Sequence, residues 1–106
     1  MNSNQFDKWR SKFINDTFDL SDVKRVEYCK GNQDVDVHTN FKQEGKKLGL
    51  PAMKVLQMYL SKHLASIEYY MMTGKSDSEG IESRVQDTIN YLLLMISLII
   101  STEEDL

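Results

Sequence analysis

The chain reads as an all-α protein: a small helical bundle built on a long antiparallel helix hairpin with short N-terminal helices. Three observations predict this class. Apolar residues recur at three- and four-residue steps over long segments, the period of one helix face. The two longest such segments are joined by the short polar turn Thr73-Gly74-Lys75-Ser76-Asp77-Ser78, which favours antiparallel neighbours. The one alternating stretch, around Val35 and Val37, has no second strand to pair with. At 106 residues the chain is expected to be a single domain able to bury one core.

The elements follow in order. Phe6, Trp9, Phe13 and Ile14 predict a helix from Asn4 to about Phe18, capped by Ser3 or Asn4. Ser21-Asp22 starts a second, running through Val23, Val26 and Tyr28 to about Lys30, where Gly31 ends it. Residues 32–40 read as an ordered loop. A short helix from about Thr39 to Leu48 stops at Gly49. Pro51 stands at or near the start of a long helix to about Met72, with Met53, Leu56, Leu60, Leu64, Ile67 and Met71 as its core stripe. The last helix spans about Ser78 to Ser101, with the stripe Ile81, Val85, Ile89, Leu92, Ile96 and Ile99. Ser78 or Asp77 caps it, and Glu79 and Glu82 complement its dipole. The acidic end Glu103-Glu104-Asp105 opposes that dipole and is expected to fray.

Composition narrows the classes of function. Charged residues are 27% and hydrophobic ones 41%, as in folded globular chains. A net charge of −3 gives no general attraction to DNA or to an anionic membrane. One cysteine, Cys29, forms no internal disulfide, and no apolar N-terminal signal is present, so a cytoplasmic location is expected. The longest apolar run, Leu92–Ile100, is too short to span a bilayer, which takes roughly 20 residues. It is apolar nearly all round, so it is expected to be buried on every side, most simply in a homodimer or higher homo-oligomer. The alternative is that Trp9, Phe13 and Phe18 fold over it.

Several catalytic chemistries lack their residues. Cys29 and His38 do not make a four-ligand zinc site. Neither His38 nor His63 has a Ser or Cys nucleophile at a recognisable spacing. Gly45-Lys-Lys-Leu-Gly49 is not a phosphate-cradling loop of the Walker kind.

What stands out is polar. Lys62-His63 lies in mid-helix, and Arg84, Asp87, Asn90 and Tyr91 step along the next helix. In a hairpin turning near residue 76, Lys62 and His63 fall opposite Ile89 and Asn90, about four turns below the loop, and the six residues are expected to converge at mid-height on one side. Charged groups there are costly unless they pair with each other or with a ligand. They are read either as a helix-locking network or as a site.

The order and spacing of these residues resemble a family of small all-α phage and prophage proteins. The residues that carry the likeness are Tyr28, Asp34 or Asp36, Asn40-Phe41-Lys42, Lys62-His63, Ser78-Glu79, Ile81-Glu82, Arg84, Asp87 and Ile89-Asn90-Tyr91. It covers about residues 25 to 100. The pattern is similar to nucleotide-modification-associated phage domains and, more distantly, to MazG-like nucleoside triphosphate pyrophosphohydrolases. The resemblance implies a protein of nucleotide metabolism or nucleotide binding in the cytoplasm of an infected bacterium. Lys42, Lys62, His63, Arg84, Asn90 and Tyr91 would hold phosphate or ligand, and Glu82 and Asp87 would hold Mg²⁺.

The chain departs from the MazG pattern: Glu79 and Glu82 are three apart but stand at an exposed first turn, the preceding helix offers only Glu68, and Glu82 and Asp87 are five apart, about 140° around a helix. Three classes therefore stay open. One is a Mg²⁺-dependent pyrophosphohydrolase, another a non-catalytic nucleotide binder. The third is a phage protein that binds a host protein to counter host defence, for example an anti-CRISPR-type inhibitor.

Overall fold

A computed structural model describes residues 1–29 and 36–104, the side chains of 27–29 and 102–104 excepted. The described residues form four helices and no strand: α1 (Ser3–Cys29), α2 (Thr39–Leu48), α3 (Ala52–Thr73) and α4 (Ile81–Glu104). The protein is all-α. No described helix is long and apolar enough to cross a membrane. Contacts divide the chain into two compact units, Met1–Val35 and Asp36–Leu106.

The first unit holds α1, a single helix where two were expected. Ser21-Asp22 is a good cap pair by composition, but no Gly or Pro interrupts residues 1–29, so nothing makes the chain leave the helix there. The N-terminal cap is Asn2, not Ser3 or Asn4. Asn2 Oδ1 accepts from the Gln5 N–H at 2.9 Å, and the Asn2 N–H donates to Gln5 Oε1 at 2.9 Å, a reciprocal capping box. Phe6, Trp9 and Phe13 form a ladder, with ring centroids 6.0 Å and then 5.2 Å apart. The expected helix end at Lys30-Gly31 lies outside the described residues.

The second unit is the hairpin with α2 laid against α3. α2 ends where Gly49 enters the left-handed region at φ 69°. Pro51 is the N-cap of α3, next to its first helical residue Ala52, in keeping with its expected place at or near the helix start. The hairpin turn contains Gly74 and Gly80, both at positive φ. α4 starts at Ile81, three residues later than expected, because Asp77 organises the turn instead of capping the helix. Its Oδ1 accepts from the Glu79 N–H at 3.1 Å and its carbonyl from the Gly80 N–H at 3.3 Å. The helix continues to Glu104, past the expected end at Ser101. A small core of Phe41, Val55 and Leu56 sits between α2 and the hairpin, with Leu60, Tyr91, Leu94 and Met95 packed on it.

The two apolar stripes do not face each other, contrary to expectation. At about 100° per residue, the residues α4 buries (Arg84, Thr88, Leu98) centre about 90° away from the stripe Ile81–Ile99. On α3 the face toward α4 is built on Val55, Leu56 and His63. The stripe through Leu64 and Met71 is turned about 90° from it in the same sense along the chain. The helices are antiparallel, so both rotations lead to the same side of the hairpin.

Candidate functional site

The buried level of the hairpin is polar because one guanidinium ties three elements together. Arg84 comes from the second turn of α4, and its side chain is 8% exposed. Its Nε donates to Asp77 Oδ2 at 2.9 Å, and its Nη2 lies 2.8 Å from the same oxygen. Ser66 on α3 also donates to that oxygen, at 3.0 Å. Glu79 Oε2 lies 3.6 Å from Arg84 Nη1. Charge-assisted contacts of this kind let a buried cation persist. The Arg84 guanidinium holds the Asp77 carboxyl below its ordinary range, and Asp77 in turn raises Arg84.

The remaining contact of Arg84 fixes a tautomer. Nη1 lies 3.0 Å from His63 Nδ1. A guanidinium has donors only, so Nδ1 must be the acceptor, and the ring proton of the neutral imidazole sits on Nε2. Burial of the imidazole pushes its pKa down, opposed by Asp87, while Arg84 pushes it further down. Asp87 Oδ2 is 4.0 Å from His63 Nδ1. The His63 ring stacks on Tyr91 at 5.2 Å, and Tyr91 meets Phe41 and Tyr59 at 6.2 Å each. An aromatic row thus runs from the hairpin level to α2.

α2 begins with a second polar group. His38 is its N-cap residue and is buried. Its Nδ1 lies 3.1 Å from Asp36 Oδ1 and its Nε2 2.8 Å from Ser97 Oγ on α4. Asp36 Oδ2 also accepts from Lys42, which holds the Asp36 carboxyl below its ordinary range. Sequence spacing offered His38 no nucleophile, yet Ser97 stands 59 residues away in the chain and in contact. The order Asp-His-Ser matches a nucleophilic triad, but the chemistry does not follow. Ser97 lies inside α4, where backbone N–H groups are used in the helix ladder and leave no oxyanion donors beside it. Its hydroxyl also contacts the Leu94 carbonyl at 2.8 Å. The group is a latch that fastens the start of α2 to α4.

The residues expected to form a site separate into three sets. His63, Arg84, Asp87 and Tyr91 come together at one level, as their spacing indicated. Lys62 and Asn90 fall on the flank of the hairpin that carries α2, by the same rotation that places Ser97 there. Lys42, on α2, is held by Asp36. Glu82 stands apart: it is exposed, about 140° around α4 from Asp87. Among the described residues no three His, Cys, Asp or Glu side chains gather into a set fit for a metal ion. The Glu82–Asp87 pair therefore does not make a Mg²⁺ cage with them. Asp34 and the Tyr28 side chain lie outside what is described. Asp77, the main partner of Arg84, was expected only as a helix cap. Its position in the turn carries no periodic signal.

Comparison with protein-family models, curated proteins and solved structures returns no significant match.

Proposed function

We propose that the protein binds a nucleotide or a closely related phosphate ester on the flank that carries α2, and that it binds without hydrolysing it. Lys62, exposed on α3, supplies positive charge for phosphate, and the Tyr91 and His63 rings an aromatic wall. Arg84 takes no direct part: its donors are directed at Asp77, His63 and Glu79, and it acts by positioning the imidazole. The observation that carries the reading is the neutral His63, held by a buried cation with its ring proton fixed on Nε2. A hairpin needing only stability would be served by apolar residues there.

The described carboxylates do not support a metal-assisted pyrophosphohydrolase. Any Mg²⁺ would come with the ligand's phosphates, which this ion prefers to a protein cage of this kind. The experiment is titration calorimetry with a panel of nucleoside mono- and triphosphates, with and without Mg²⁺, the products being assayed afterwards. Saturable heat with intact nucleotide agrees with the proposal. Released pyrophosphate contradicts the non-catalytic part, and no heat across the panel contradicts the whole.

A second reading, a protein partner in place of a nucleotide, has its own support. Phe6 and Trp9 are 44% and 49% exposed on α1, and aromatic side chains are the usual anchors of protein interfaces. On that reading capture of the partner survives Asp87→Ala.

A further inference from the structure

His63 carries a hydrogen-bond donor that the hairpin does not use. Its Nδ1 is taken, as the acceptor of Arg84 Nη1 at 3.0 Å, with Asp87 Oδ2 4.0 Å away. The ring proton therefore sits on Nε2, and among the described residues nothing bonds to that atom. The residue is only 7% exposed, yet every wholly buried polar side-chain atom among the described residues has a hydrogen bond. Nε2 thus belongs to the small part of the imidazole that reaches solvent. A donor set this deep, with its proton fixed by a buried guanidinium, is preorganised for an acceptor from outside.

The charges around the ring decide which kind of acceptor. The charge of Arg84 is spent on Asp77 and Glu79, and the Asp87 carboxylate faces the imidazole. Lys62 acts on the ring only from farther off. A phosphate brought to Nε2 would therefore meet no uncommitted positive charge and a nearby carboxylate. A neutral N–H offers nothing to a cation or to another donor. What remains is an uncharged acceptor, a carbonyl oxygen or a ring nitrogen. The surroundings are flat and aromatic: the imidazole stacks on Tyr91 at 5.2 Å, and Tyr59, 42% exposed, lies parallel to Tyr91 at 6.2 Å. In a nucleotide, the group that joins an uncharged acceptor to a flat ring is the edge of the base.

We propose that His63 Nε2 donates to the base of the bound nucleotide, while Lys62, exposed about 100° around α3 from it, takes the phosphate. This rests on the nucleotide reading of the same flank and sharpens it. A base with an acceptor at that edge is selected, because a base without one leaves a deeply set donor unpaired. The phosphate adds affinity and does not choose the base.

The test is titration calorimetry of the full chain with the common ribonucleosides and their monophosphates, for wild type, His63→Asn, His63→Gln and Lys62→Ala, with helicity read by circular dichroism. Asn offers Arg84 an acceptor near the place of Nδ1 and no donor at Nε2, whereas the longer Gln reaches the place of Nε2 with an amide N–H. His63→Asn is expected to weaken the preferred nucleoside and its monophosphate by the same factor, about tenfold, the size of one hydrogen bond. His63→Gln is expected to lose less, and Lys62→Ala to weaken the monophosphate more than the nucleoside. A His63→Asn protein that binds the monophosphate as tightly as wild type, or that weakens it without weakening the nucleoside, overturns the base contact and leaves nucleotide binding standing. A wild type that binds no monophosphate removes the nucleotide reading itself and the base contact with it. If His63→Asn loses its helicity, the wild type decides. The nitrogen–proton NMR signal of His63 Nε2 is expected to shift with the nucleoside alone, and a signal moved only by the monophosphate or by inorganic phosphate overturns the base contact.

Discussion

Arg84 and His63 show how single atoms constrain the site. Replacing Arg84 by Lys keeps the charge but not the fork that reaches Asp77 and His63 together. Arg84→Lys is expected to lower unfolding free energy by about 1.5–3 kcal/mol in urea, the worth of hydrogen bonds to charged groups. An unchanged midpoint would mean that the guanidinium network carries no weight. His63 gives a pH dependence whose direction follows from its lowered pKa. The unfolded chain takes up a proton near pH ~6.5, while the folded chain resists until lower pH. Stability is therefore fully present above pH ~6.5 and falls as the pH drops through the mildly acidic range. Asp36 and Asp77 are held low, so their losses begin only below pH ~4, as the carboxylates take up protons. Melting followed from pH 8 to 5 should show a decline in wild type that His63→Gln flattens, and a decline of equal size in both would assign it elsewhere.

At the scale of elements, Gly45 joins α2 to α3. A Cβ there would lie 2.4 Å from the Leu50 carbonyl oxygen, which is backbone and has little room to move. In an open helix Gly→Ala stabilises by about 1 kcal/mol. At Gly45 the sign should reverse, with a loss of about 1–3 kcal/mol from overpacking. A stabilised Gly45→Ala in a denaturant titration would show that the α2–α3 approach is looser than described. The elements also show what the sequence can and cannot reveal. Periodicity located α2, α3 and α4 to within about three residues, because Gly49, Pro51 and the polar turn punctuate them. It also put His63 level with Asp87 and Tyr91. It could not say which stripe meets which, since a helical repeat states that residues share a face and not what that face touches. The inward face of α4 is mixed, with Arg84, Asp87 and Thr88 among Leu94 and Leu98, and so gives a weaker apolar signal than the outward one. The His38–Ser97 latch was invisible for a different reason: contacts between residues 59 apart leave no local pattern.

At the scale of the whole molecule, the second unit has two unlike sides. The side with α2 carries Lys42, Lys62, Asn90 and the aromatic row from His63 to Tyr59. The opposite side is apolar and uncharged. Ligand binding should therefore respond to substitutions on one side only. Lys62→Ala should weaken nucleotide binding, and it should persist in Ile96→Glu. Titration of both variants checks this, and loss of binding in Ile96→Glu would contradict the division. Nucleotide binding is read by thermal melting. Wild type and Lys62→Ala are melted with nucleoside mono- and triphosphates, with and without Mg²⁺. A nucleotide at about 100 times its Kd adds roughly 2.7 kcal/mol to the folded state, which for a chain of this length raises Tm by about 10 °C or more. Such a rise is expected in wild type with at least one nucleotide, and a much smaller one in Lys62→Ala; a wild-type Tm unmoved by every nucleotide would contradict nucleotide binding.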